Sequence, residues 1–345
     1  MIHSRLFAIV TLVVLVGCSP PPAATRPSAT NIASTSTALA GKEVWFISLT
    51  PTNTAVRAIG QALNNVVVAN GGVMRIAFSV NPQTNVIDLS TQAAAIDRAM
   101  SKKPAAIAYF VADPKSPGPQ VTEAMKQGIP VFAVFGKPDG FVANAYMVLQ
   151  DFEMGKRTAT YLSQHLAKGA EVAIISGPLT QNIKDELDGA SAAFQAEGNQ
   201  VDGDSAAQRN LTNDSAGGQA VMQALLQRFP NLQGVFTYDD ATAIGAAAAA
   251  KAAGKQILFA SRNATPEGIA AIKDGTLLAT CDLNTIGLGQ SVGNAIIAQV
   301  TGKQKYENSE AIPPLDASNC VIHKDNVDQF VPADQRIPYV DIPQG

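Results

Sequence analysis

Residues 235–254 read VFTYDDATAIGAAAAAKAAG, and the fold follows from this stretch. A short β-rich run, 235–238, leads into two carboxylates, Asp239 and Asp240. A helix follows whose alanines are small enough to lie flush against a sheet. Strand, acidic turn, helix is the local signature of a parallel α/β sheet. The turn then falls at the carboxyl end of a strand, where open sheets bind ligands. Asp240 is expected to cap the helix by accepting a hydrogen bond from an orphan amide. That leaves Asp239 to face the crevice. The competing reading makes both residues caps and solvated turn groups.

The same alternation extends in both directions. Apolar runs predict strands at 44–49, 73–80, 105–111, 131–135, 171–176, 256–260 and 277–283. Helical spacing fills 55–70, 89–100, 120–127, 152–166, 184–197, 215–229, 266–274 and 286–300, with Gly155 the weak point of its helix. The series occurs twice, with a break near Gln150. It predicts parallel sheets with right-handed crossovers: an α/β protein of two Rossmann-like lobes joined by a multi-strand hinge. The expected boundaries are 42–150 plus 284–312 for the N-terminal lobe and 151–283 plus 313–345 for the C-terminal lobe. The hinge is expected near Gln150, Leu283 and 311–318.

The chain of 345 residues is long enough for two such lobes. With 46% apolar and 15% charged residues it is globular rather than disordered. A net charge of -3 argues against a nucleic-acid surface, which needs clustered Lys and Arg. His3, His165 and His323 are far apart, so no metal site built on histidine is expected, and no motif asks for a cofactor.

The chain opens with Arg5 and an apolar run, 6–16, too short to span a bilayer. It ends in Leu15-Val16-Gly17-Cys18, which resembles a bacterial lipobox. Residues 1–17 then read as a lipoprotein signal peptide. Cys18 becomes the lipidated residue that tethers the protein outside the cell membrane. The alternative is an ordinary secretory cleavage site beside a chance cysteine. Residues 18–41, rich in Pro, Ser, Thr and Ala, read as a flexible tether. Export leaves Cys281 and Cys320 in an oxidising compartment, where an even remainder favours a disulfide over two buried thiols.

Polar residues recur at the predicted strand ends: Asn53, Asp113, Asp239, Asn263 and Asp282, with Lys184 opening a helix. Buried polar groups need partners, and a hydroxyl-rich ligand supplies them. At these residues the chain resembles the type I periplasmic solute-binding proteins of ABC importers, in the sugar-binding branch that includes the ribose-binding proteins. The resemblance runs from about residue 42 to 330. It is carried by the start at 44–53, GIPVF at 128–132, the Asp-x-x-Ala-x-Gly-Ala helix start at Asp240, IKDGTLLAT at 272–280 and KDNVDQF at 324–330.

The resemblance implies that Asn53, Asp113, Lys184, Asp239 and Asn263, with Arg262 beside it, bind the solute. It leaves open which of Asp282, Leu283 and Asn284 joins them. Ala55 and Val56 stand where the family has aromatics, and Phe135 and Gly136 replace its Asp-Arg pair. A small polyol, a short or branched sugar or another polar solute then fits as well as a pyranose. Phe135 and Trp45 lie in apolar runs and are expected in the core.

The implied function is capture of a small sugar or polyol and delivery to an ABC permease, with nothing covalent done to it. The same protein presenting its liganded form to a sensor is one alternative. A carbohydrate-cleaving enzyme using Asp239 and Asp240 is another. Adjacent turn residues point apart, however, and no Gly-x-Ser-x-Gly elbow occurs. Gly287, Gly289 and Gly293 imitate a dinucleotide loop but lie inside a helical run.

Overall fold

The computed structural model describes residues 37–345 except 85, 179 and 204. The leader, Cys18 and the tether up to residue 36 lie outside the described residues. Leu39 corrects the end of the expected tether. It is fully buried, and its amide donates to Asn70 O at 2.9 Å, so packed structure begins before residue 42.

The N-terminal lobe runs β1 (Glu43–Ser48), α1 (Thr54–Ala69), β2 (Val73–Phe78), α2 (Leu89–Ser101), β3 (Ala106–Phe110), α3 (Gly118–Lys126), β4 (Val131–Val134) and β5 (Ala145–Met147). The C-terminal lobe follows with α4 (Asp151–Ser163), β6 (Glu171–Ile175), α5 (Gln181–Ala196), β7 (Gln200–Asp202), α6 (Ser215–Arg228), β8 (Gly234–Thr237), α7 (Asp240–Ala252), β9 (Leu258–Ala260), α8 (Pro266–Lys273) and β10 (Ala279–Cys281). The chain then returns to the first lobe for α9 (Thr285–Val300) and β11 (Glu310–Ala311). It crosses again for β12 (Val321–His323) and ends beyond the short helix α10 (Ala333–Arg336).

The two sheets have the orders β11-β5-β4-β3-β1-β2 and β12-β10-β9-β8-β6-β7. Every ladder between these strands is parallel except β10 with β12. In each sheet the winding reverses at the first strand, between β1 and β3 and between β6 and β8. These reversals are where an open sheet leaves a crevice at its strand ends.

Helices cover both faces of each sheet, which is why β3, β4 and β8 are buried along their whole length and read as unbroken apolar runs. In the first lobe, Phe46 and Phe132 pack toward α1 and α9, while Ile47 and Tyr109 pack toward α2 and α3. Glycines set how close the helices come. A Cβ on Gly155 would stand 2.0 Å from Glu186 O, and one on Gly189 2.0 Å from Phe152 O, so α4 and α5 meet backbone to backbone. Gly289 serves α9 in the same way, against Ile59 O of α1, which accounts for the glycines that imitate a nucleotide loop.

The lobes are connected between β5 and α4, between β10 and α9, and between β11 and β12. A disulfide joins Cys281 to Cys320 with the Cα atoms 4.8 Å apart. It fastens the second crossing to the third, and beside it Asp282 N donates to Cys320 O at 2.8 Å.

The assignment of all of 313–345 to the C-terminal lobe needs correction. After α10 the chain returns to the first lobe, where Gln344 forms a parallel bridge to Ile76 at the free edge of β2. Gln61 accepts from Val340 N at 3.1 Å and donates to Val340 O at 2.6 Å. Unpaired backbone groups at a sheet edge recruit any strand that reaches them, and the tail reaches this one.

Candidate functional site

The carboxyl ends of both sheets face one cleft with some 530 Å³ of free space, part of it open to solvent. From the first lobe, β1 leads to Leu49 and Asn53, β3 ends in Phe110 and β4 is followed by Phe135. From the second, Pro178, Thr180 and Asn182 follow β6, Tyr238 follows β8, and Arg262 and Asn263 follow β9. Leu283, on the second hinge crossing, completes the wall. Of the three neighbouring candidates at 282–284, it is the leucine that faces the cleft.

Of the residues expected at the site, Asn53, Arg262 and Asn263 come together here. Asp113, Lys184, Asp239 and Asp282 do not. Asp239 is the N-cap of α7 in extended conformation, and its Oδ1 accepts from Thr242 N at 2.8 Å inside the lobe. Asp240, expected as the cap, is instead a buried hub. It accepts from Ser261 Oγ at 2.5 Å, Thr280 Oγ1 at 2.6 Å, Thr265 N at 2.7 Å and Thr265 Oγ1 at 2.8 Å. Asp239 takes the cap because α7 begins at the second aspartate rather than after it, and Asp240 turns into the lobe and not into the cleft.

Lys184 lies in the first turn of α5, which starts at Gln181, three residues earlier than the sequence suggests. Its exposed ammonium pairs with Asp188 at 2.5 Å. Asp113 closes a turn by accepting from Lys115 N at 2.7 Å and borders a separate depression with Lys137 and Asp139. Asp282 faces Arg336 at 3.4 Å.

Arg262 is 3% exposed; its Nη1 donates to Glu186 Oε2 at 2.8 Å and forms an ion pair with Asp151 Oδ1 at 2.9 Å. Two buried carboxylates share one guanidinium. Burial pushes Asp151 up to about 6 against the pull of Arg262. It pushes Glu186 well above the usual carboxylate range, with Arg262 again opposing and Asp151 adding to the rise. The Nε of Arg262 has no hydrogen-bond partner among the described residues.

Thr180, Asn182, Asn213 and Tyr238 line the cleft without having been singled out from sequence. Thr180 Oγ1 donates to Asn182 Oδ1 at 2.8 Å, and Tyr238 Oη donates to Asn213 Oδ1 at 2.7 Å. The usable signal was Gly177-Pro178, which ends β6 and places the next polar residues at the strand end. Phe135 is buried as expected, yet it also lines the cleft, stacked on Phe110 with ring centroids 4.9 Å apart. Trp45 is core, and its Nε1 donates to Glu43 Oε2 at 3.2 Å. Among the described lining residues there is no carboxylate and no histidine, so the cleft offers amides, hydroxyls and one guanidinium to a polar guest.

Comparisons with known proteins agree with this architecture. The chain is 28% identical to a ribose import binding protein of Bacillus subtilis over 160 residues, 46% of this chain and 51% of that protein. It is 28% identical over 204 residues, 56% of this chain and 63% of the other, to a D-ribose/D-allose-binding protein of Pseudomonas aeruginosa. The chain thus spans about half to two thirds of the length of these relatives. Among solved structures, a periplasmic solute-binding protein of an ABC transporter from Actinobacillus succinogenes, crystallised with D-allose, superposes with a TM-score of 0.73. The superposition covers 84% of this chain and 100% of that one at 20% identity. The family model described as periplasmic binding protein domain matches residues 44–304, and the chain belongs to that family.

Proposed function

We propose that the protein is the extracytoplasmic solute-binding component of an ABC importer, taking a small sugar or polyol into the cleft and delivering it to a permease. The observation that carries this reading is the convergence of both sheets' reversal points on one cleft. Amide groups and the Arg262 guanidinium line it, and among the described lining residues there is no carboxylate and no histidine for acid–base work. Ribose- and allose-binding relatives support the solute class.

A hinge of several crossings lets the lobes close when the solute prefers the closed state. In that state Asn53 approaches from one side and Asn182, Arg262 and Asn263 from the other. Lipidation at Cys18 would hold the protein at the membrane beside its permease. A thermal-shift screen over pentoses, hexoses and polyols tests the reading. Binding to the native state raises the melting temperature by mass action, and a screen with no shift at millimolar sugar contradicts it.

A further inference from the structure

The two walls of the cleft differ in chemistry. The N-terminal wall presents Val56 and Ile59 from α1 and the stacked rings of Phe110 and Phe135. Its polar member, Asn53, uses its carboxamide oxygen to cap α1 through Val56 N at 3.1 Å. The opposite wall carries the open polar groups. Asn182 is 6% exposed, and its amide nitrogen makes no hydrogen bond among the described residues. The Asn263 carboxamide makes no hydrogen bond among the described residues, and the residue stands at φ 108°, a backbone conformation unusual for any residue but glycine.

Phe135 is held at φ 64°, in the left-handed region that a bulky side chain rarely adopts. Such strain concentrates where a ligand is gripped. Here it turns an aromatic ring into the cleft wall just past a strand whose residues are all core.

This division has a consequence for selectivity. A hydroxyl pressed against Val56, Ile59 and the two rings gives up water and gains no partner from them. A methyl, methylene or O-alkyl group in the same place is favoured by its loss of contact with water.

We propose that the cleft selects a small sugar or polyol with one apolar flank, a deoxy or O-alkyl compound, over its fully hydroxylated parent. The apolar flank lies on Phe110, Phe135 and the aliphatic row of α1, and the oxygens lie on Asn182 and Asn263. This rests on the reading of the cleft as a solute site.

The test is titration calorimetry on the full exported chain with matched pairs: methyl β-D-ribofuranoside against D-ribose, and L-fucose against L-galactose. The expected result is tighter binding of the deoxy or methyl member of at least one pair, by about tenfold or more. Equal or tighter binding of both parents overturns the selectivity while leaving the sugar-binding reading intact. No binding by any of the four overturns both.

Val56→Thr, of equal size and on a helix that accepts either residue, places a hydroxyl on the apolar wall. With an unchanged melting temperature, it is expected to narrow the preference by about threefold or more. An unchanged preference in that variant removes the N-terminal wall as its source.

Discussion

Arg262 Nη1 donates to Glu186 Oε2 at 2.8 Å, and both side chains are almost wholly buried, the arginine beneath the cleft wall it helps to line. Removing the arginine leaves two buried carboxylates without a counter-charge. Arg262→Met is expected to cost about 3–5 kcal/mol in chemical denaturation. Burial pushes Glu186 upward while Arg262 opposes the rise, and a glutamine keeps the oxygen that accepts from Arg262. Glu186→Gln, its uncharged isostere, is therefore expected to cost less than about 1.5 kcal/mol. A glutamine variant as damaged as the methionine variant would show that the ionised pair is what the fold needs.

Asp239 separates stability from binding. Its carboxylate caps α7 and does not line the cleft. Asp239→Ala is expected to lower stability by about 0.5–2 kcal/mol, as for other lost caps. Its solute affinity should stay within about twofold of wild type, read by calorimetry. A large loss of affinity with unchanged stability would return Asp239 to the site.

Stability should depend on pH in a stated direction. Burial raises Asp151 and Asp240 to about 6, whereas both ionise near 4 when unfolded. The native state holds these protons more tightly. Their contribution is complete below about 4 and is lost as pH rises through about 6. Denaturation at pH 5.5 should therefore show more stability than at pH 8, by on the order of 2 kcal/mol. Asp88, Asp274 and Asp316 act in the opposite sense. Hydrogen bonds from Ser90, Thr276 and Ser318 hold them low, so their contribution is lost only as pH falls through those lowered values. Stability that rises from pH 5.5 to 8 would contradict this balance.

The alternation of strand and helix was legible because buried parallel strands and their cover helices carry strong, regular apolar patterns. Strands β5, β7, β11 and β12 were not. They are two or three residues long and lie at or next to a sheet edge, where pairing with a neighbour, not a run of apolar residues, defines them.

The site was legible in part. Asn53 and Asn263 lie in the turns that follow strand ends, and that position places them in the cleft. Asp239 was misplaced because α7 begins one residue earlier than expected, which makes Asp239 the cap, and not a cleft residue, and buries Asp240 inside the lobe. Lys184 was placed at the cleft because the start of α5 was read three residues late, which passed over Asn182. The returning C-terminal segment has no local signal at all, since its bridge partner at Ile76 is far away in sequence.

The central claim is that the amides at the strand ends hold a solute between the lobes, and Asn263 tests it most directly. Glycine accepts the φ of 108° without strain, so Asn263→Gly deletes the carboxamide and leaves the backbone at ease. Titration calorimetry with the sugar or polyol that most raises the melting temperature should show single-site binding in the wild type and an affinity about tenfold weaker or more in the variant. Equal affinity in the two proteins would contradict the account.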